Sequence, residues 1–244
     1  VQKDQIEKYE QFAKDKLGLK FNDINLLITA LTHRSYVNEH RKTTSEHNER
    51  LEYLGDAVLE LVTSDFLFKN FHLPEGIMTA IRAALVRTES IGDAGEKLGY
   101  APLVRMSKGE KSGSARAHAS ILADCFEAVI GAIYLDQGYD AASDFIYKNI
   151  IVKMDQIVED ESWRDPKSLF QEICQHLHET VPQYRTLNID GPDHDRTYTV
   201  GVFVNDNQLA EARGHSKHEA ESTAAAQCIK IYKQKGLYTP EKIL

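Results

Sequence analysis

Cysteine is scarce in this 244-residue chain: only Cys125, Cys174 and Cys228 are present. They are odd in number, widely spaced and without Cys-x-x-Cys pairs, which argues against a disulfide framework. Reduced thiols in a cytoplasmic protein are the expectation. Positive charge is also short. There are 29 Lys and Arg against 37 Asp and Glu, a formal net charge of −8, which argues mildly against a polyanionic partner. Apolar runs are few as well. Residues 1–20 are studded with Lys, Asp and Glu and hold no apolar leader core, and no later run reaches the length of a membrane span. No membrane association is expected. No internal repeat links one part of the chain to another. With these classes set aside, 42% hydrophobic and 27% charged residues describe an ordinary globular protein, with room for one large or two modest domains.

What the chain does have is an unusual set of carboxylates between His47 and Leu61. A helix turning about 100° per residue places Leu51, Leu54, Val58, Leu61 and Val62 on one side, the expected core stripe. Glu49, Glu52 and Asp56 gather on the opposite side, with no Lys or Arg on that face. Exposed acids so placed repel one another by about a few tenths of a kcal/mol per pair, so either water screens them or a cation occupies the face. Tyr53 also lies outside the apolar stripe, where a solvated face has no need of an aromatic.

A second acidic set follows in residues 120–135. Leu122, Phe126, Val129 and Ile133 form the apolar stripe of a helix, while Asp124, Glu127, Ala128 and Gly131 share another face. The small residues let a second helix approach closely. Acids set in apolar sequence are costly to bury unless paired or bound to metal. Elsewhere in this half, helices are expected over residues 5–16, 26–31, 77–87, 90–98 and 141–157, with Asn22-Asp23 as a cap before the second. His33 reads as a structural hydrogen-bonding residue, because no His or Cys sits at ligand spacing from it. Pro74-Glu75-Gly76 breaks the chain before a helix. Glu75 is there either as a favourable charge at a helix N-terminus or as a member of a metal site, and the residues alone do not separate the two.

Residues 158–164 are acidic, end before Pro166 and read as a linker. After them the texture changes. Residues 167–180 have helical period, residues 184–189 and 198–204 alternate as strands, residues 209–214 form a third, and an Ala-rich helix closes the run. The order α-β-β-β-α places two helices on one face of an antiparallel sheet. The fold class expected is therefore two domains: an all-α N-terminal domain over 1–157, and an α+β C-terminal domain over 165–236 followed by a tail, 237–244.

All of the acids offer hard oxygen ligands, which favours Mg²⁺ or Mn²⁺ over zinc. The chemistry that suits such a site is phosphodiester hydrolysis, with an ion-activated water attacking and the leaving 3′-oxygen stabilised in an in-line displacement. Glycoside hydrolysis also uses paired acids, but nothing suggests an aromatic sugar cleft.

The run Asn48-Glu49-Arg50-Leu51-Glu52-Tyr53-Leu54-Gly55-Asp56-Ala57-Val58-Leu59 resembles the hallmark motif of bacterial ribonuclease III. Pro74-Glu75-Gly76, Lys108-Gly109-Glu110 and Leu122-Ala123-Asp124-Cys125-Phe126-Glu127-Ala128 are similar to its companion motifs. The C-terminal part resembles a double-stranded-RNA-binding domain through Asp165-Pro166-Lys167-Ser168, Gln171-Glu172, Gly191-Pro192-Asp193-His194 and Ser216-Lys217. The resemblance covers nearly the whole chain, with both halves in the family's order. It implies a Mg²⁺-dependent endoribonuclease that cuts both strands of duplex RNA, leaving 5′-phosphate and 3′-hydroxyl ends with short 3′ overhangs, and that processes ribosomal and other structured transcripts. It further implies that Glu52, Asp56, Asp124 and Glu127 hold the ion, with Asp56 and Glu127 foremost in catalysis and Glu49 and Glu75 in support. The family is a homodimer, and cutting two strands with one acidic set per chain needs two chains. Tyr53 stands where the family docks an aromatic into its partner.

In the second domain the resemblance places duplex contacts at Lys167, Ser168, Gln171, Glu172, His194, Lys217 and His218. Gln171 and Glu172 would reach a minor groove, where 2′-hydroxyls distinguish RNA from DNA. His194 would enter the next minor groove, and Lys217 would meet phosphates at a helix N-terminus. Two departures weaken the expected grip. His218 replaces a second lysine and is largely neutral at pH 7. Between Trp163 and Gly236 there are nine Lys and Arg against ten Asp and Glu, so weak binding with shallow salt dependence is expected. Two other readings are open: a duplex-binding regulator whose first half only dimerises, and a phosphohydrolase of small nucleotides.

Overall fold

Two lengths of chain pack separately, Val1–Ile157 and Val158–Leu244, and the computed structural model describes residues 3–41, 45–178, 180–192 and 196–240. The first is helical. It opens with α1 (Lys3–Phe12), which passes into a π-helical turn at Ala13–Leu17, and continues with α2 (Ile24–Ala30) and α3 (Arg34–Glu39). The long α4 (Glu49–Asn70) follows, then α5 (Glu75–Val86), α6 (Thr88–Leu98) and the single turn α7 (Lys108–Lys111). After α8 (Ala115–Gln137) come α9 (Tyr139–Asn149) and α10 (Met154–Glu159).

Local chemistry sets many of these boundaries. Asp23 caps α2 by accepting from the Asn25 amide, and Ser114 caps α8 by accepting from Ala117. Gly99, at φ +85°, ends α6 in the left-handed conformation that glycine adopts without strain. One helix is added and two expectations change. Residues 34–39 form a helix, capped by the His33 side chain accepting from the Ser35 amide, so His33 is structural as read. The helix expected over 141–157 is broken at Ile151–Lys153 by a 3₁₀ turn, where the β-branched run Ile150-Ile151-Val152 disfavours α geometry. Leu61 is 57% exposed rather than buried, because it lies about 70° from the middle of the stripe that Leu51 and Val58 define.

Helix α8 is the core of this unit. Cys125, Phe126, Ala128, Val129, Ile130, Ala132 and Ile133 are fully buried, with α2, α4, α6 and α9 packed around them. Its length and composition would suit a membrane-crossing helix. The expectation that no stretch does so overlooked it, since Asp124 and Glu127 interrupt the apolar run. With 61% of that apolar stretch buried, a place in the core accounts for the same composition.

The second unit contains α11 (Pro166–His178), β1 (Gln183–Asp190), β2 (Thr197–Val204), β3 (Asn207–Gly214) and α12 (Lys217–Gln234). The strands are antiparallel in the order β1-β2-β3. Asn205 and Asp206, at φ +49° and +61°, make the tight β2–β3 turn. Phe170 and Cys174 of α11 meet Val202 of β2 and Cys228 and Tyr232 of α12 in the core. The two helices and the sheet thus form the α-β-β-β-α layer expected.

The segments flanking this layer also take part in it. Glu161 is only 4% exposed. Its carboxylate accepts from the Tyr238 hydroxyl at 2.7 and 2.8 Å and lies 3.4 Å from Lys233 Nζ. Arg164 completes the ring at 3.5 Å. Residues read as linker and tail therefore hold each other.

Candidate functional site

Glycine decides how α4 and α8 cross. A Cβ on Gly55 would stand 1.8 Å from the carbonyl oxygen of Glu127, and one on Gly131 would stand 2.2 Å from that of Leu51. The two backbones are therefore in direct contact, as the small face of residues 124–131 foretold. The crossing sets Glu52 and Asp56 of α4 against Asp124 and Glu127 of α8.

The electrostatics record that proximity. Burial, then the charges of Asp56, Glu52, Asp124 and Glu60, pushes Glu127 up to about 8. Burial, then Asp124, Glu49 and Asp56, pushes Glu52 up to about 7. Asp124 is raised by burial and by Glu49, with His33 acting in the opposite sense. These carboxylates repel one another and are partly stripped of water, so ionising all of them is costly without a cation. The donors are oxygen only, the set that suits Mg²⁺ or Mn²⁺. Among the described residues no three such groups already converge as a formed ion cage.

Glu60 is a charged neighbour of this set that the reading of the sequence missed. It lies four residues after Asp56, on the same helical face, and its charge reaches Glu127. Arg82 of α5 donates to its carboxylate at 2.8 Å. At the other end of the row, Glu49 faces Arg34 at 3.5 Å and His47 at 3.8 Å. Glu75 begins α5, accepts from the Thr79 hydroxyl at 3.3 Å, and lines a groove with Leu61, Ser64, Phe68 and Arg82. That position is beside the second half of α4, beyond Asp56, and Glu75 is not among the charges felt by Glu52 or Asp124. Tyr53 is 82% exposed, and Phe68 is 75% exposed. With Leu61 they run along one side of α4 as an apolar stripe in water.

In the second unit, Gln171 and Glu172 are exposed on α11, and Glu172 is ion-paired with Arg164, a partner the sequence did not reveal. Lys167 binds Glu221 at 2.5 Å and lies over the Tyr184 ring. Lys217, exposed at the start of α12, is 3.8 Å from the same Glu221. The amide and hydroxyl of Ser168 both donate to Asp165 at 2.8 Å. Against the burial that pushes it up, those bonds, with His218 and Lys167 nearby, hold Asp165 below the usual carboxylate range. Ser168 thus serves the start of α11, and His218 stands exposed beside it. His194 lies outside the described residues.

Comparison with known proteins agrees with both halves. Residues 23–154 match a family described as ribonuclease-III-like, and residues 166–232 match the double-stranded RNA binding motif. Ribonuclease 3 of Enterococcus faecalis is 41% identical, over 91% of this chain and 96% of its own length. Ribonuclease 3 of a Geobacillus species is 43% identical, over 94% and 93%. Two solved structures of the ribonuclease III nuclease domain from Campylobacter jejuni align with TM-scores of 0.51 and 0.52 at 39% and 38% identity. They cover 58% and 59% of this chain and 98% and 94% of theirs.

Proposed function

Because the chain belongs to the ribonuclease III family, and is thus a double-stranded-RNA-specific endoribonuclease, we propose that it cuts at the crossing of α4 and α8 with Mg²⁺ as its ion. Mn²⁺ is the expected substitute. The observation that carries this reading is the set of mutually raised carboxylates on the two facing helices. Glu52, Asp56, Asp124 and Glu127 would hold the ion, and Asp56 and Glu127 carry the largest share of catalysis. When bound, Mg²⁺ supplies an activated water and offsets negative charge on the scissile phosphate and the leaving 3′-oxygen. The chain's own residues prepare for it. The Gly55–Gly131 contact fixes the separation of the two helices, the partly buried carboxylates stand to gain most from a cation that offsets their repulsion, and Arg82 holds Glu60, whose charge adds to that felt by Glu127. Glu49 is held at the edge by Arg34 and His47 and supports the set. Glu75 would support from the start of α5.

The products would carry 5′-phosphates, 3′-hydroxyls and short 3′ overhangs, and the transcripts served would include ribosomal RNA precursors. The buried free thiols suit a reducing cytoplasm. Purified protein given a long perfectly paired RNA should yield short duplexes with those ends in Mg²⁺, no products in Ca²⁺, and no cleavage of single strands. A stem from a ribosomal precursor should be cut as well. Duplex that is shifted on a gel but left intact in Mg²⁺ would defeat the proposal and favour a binding regulator.

Two strands cut by one acidic set per chain call for a homodimer. The exposed stripe of Tyr53, Leu61 and Phe68 on α4 supports that face as the interface, since contiguous apolar surface on a soluble unit marks an interaction site. Tyr53→Asp should weaken self-association by at least about tenfold, seen as a shift toward monomer in sedimentation velocity. An unchanged mass at micromolar concentration would refute it.

A further inference from the structure

We infer that Arg164 is a positioning residue for duplex RNA: it neutralises Glu172 on the exposed side of α11 and so lets that helix approach phosphates. The inference rests on the proposed reading of α11 as a duplex-contacting helix.

Three observations lead to it. First, α11 has almost no positive charge of its own to offer. Its one lysine, Lys167, is committed to Glu221, which Lys217 shares. Without compensation, the helix would present the Glu172 carboxylate, 62% exposed, to a polyanion. Second, the compensation comes from outside the helix. The Arg164 guanidinium pairs with Glu172 through Nη2 and with Glu161 through Nη1, and it lies near the Trp163 ring. Third, Arg164 is held in place. Glu161 is fixed by Tyr238 and Lys233, and Lys233 also donates to the Asp160 carbonyl at 3.1 Å. A segment before α11 and one after α12 thus form a mount that sets a cation beside Glu172.

As a stabilising contact, an ion pair with a partner this exposed contributes little. Its effect is on what α11 shows to a ligand. An uncompensated charge about 4 Å from a phosphate in water is worth roughly a fivefold change in affinity. Neutralising Glu172 also leaves its oxygens in place, still able to accept from a 2′-hydroxyl.

The test uses the full chain in Ca²⁺ with a fluorescent duplex RNA, by anisotropy at several salt concentrations. Arg164→Gln should weaken binding about fivefold, and adding Glu172→Gln to it should recover part of that loss rather than deepen it, with the wild-type salt slope. An Arg164→Gln variant that binds as wild type overturns the inference. So does a double variant as weak as the single one. If its salt slope is lower by about 0.9, Arg164 touches a phosphate directly; with the slope unchanged, its role is only to hold the fold. A wild-type chain that binds no duplex overturns the reading of α11 itself, and this inference with it. Wild-type binding with no effect of Arg164→Gln overturns the inference alone.

Discussion

Replacing Glu127 by Gln should abolish cleavage, leave duplex binding intact and raise the melting temperature of the ion-free protein at pH 8.5. The first effect follows from its place among the four carboxylates. Losing a positioned acid or base commonly costs about 10²- to 10⁴-fold in rate. Duplex binding resides in the second unit and should change by less than about twofold. The stability effect has the opposite sign to most core substitutions. In the folded protein Glu127 titrates near 8, pushed up by burial and by Asp56, Glu52 and Asp124. Unfolded, a glutamate titrates near 4.3. The folded state therefore binds the proton more tightly, and stability falls as pH rises between those values before levelling off above 8. Glutamine is neutral throughout and escapes that loss. Melting curves in EDTA between pH 5.5 and 8.5 should show wild type losing ground against Glu127→Gln as pH rises. Adding Mg²⁺ at pH 8.5 should recover wild type more than the variant, since binding to the folded state stabilises it. If the difference between the two proteins stays constant across that range, the carboxylates are not pressed together in solution.

Both acidic helices were legible because each carries its own periodicity. Glu49, Glu52 and Asp56 repeat on one face, and Asp124 and Glu127 sit beside Ala128 and Gly131. A 3.6-residue period is a local property and survives without knowledge of the partner. The same holds for the three strands and for the cap at Asp23. What stayed hidden depends on contacts distant in sequence. Nothing near Glu172 announces that Arg164 will pair with it across a turn of chain, and nothing near Glu161 announces Tyr238, seventy-seven positions away. Lys167 reads as a free cation until Glu221 of α12 is placed beside it. Glu60 was within reach of the periodicity, one turn after Asp56, but a lone acid at the end of a row has no signal without its Arg82 partner on α5. Leu61 was misassigned because a stripe drawn by residue type cannot tell a face that meets α8 from one left in water. Gly55 stood inside the recognised motif, yet its reason is visible only in the crossing it permits.

Gly55→Ala should be the most damaging single-methyl change in the first unit. In an exposed helix, Ala for Gly ordinarily stabilises by up to about 1 kcal/mol. At position 55 the added carbon would lie 1.8 Å from the Glu127 carbonyl oxygen and 2.9 Å from the Gly131 amide nitrogen. Both neighbours are backbone and cannot rotate aside, so α4 and α8 must move apart. Overpacking of a filled core costs about 1–3 kcal/mol and sometimes more, and this site belongs at the upper end. Gly131→Ala, at 2.2 Å from the Leu51 carbonyl, should behave alike. Gly76→Ala is the control: it lies in α5 with nothing within 4 Å of the added carbon, and it should be neutral or stabilising. Urea unfolding followed by circular dichroism should lower the midpoint of the first unit in both damaging variants, while the Trp163 fluorescence transition of the second unit stays in place. Cleavage should fall further than stability alone explains. Displacing reacting groups by about 1 Å can cost roughly 10²-fold, and here the spacer that is lost sets the distance between the two halves of the carboxylate set. A Gly55→Ala protein that melts at or above wild type would mean that the helices do not touch there. The crossing would then have to be abandoned as the device that assembles Glu52, Asp56, Asp124 and Glu127.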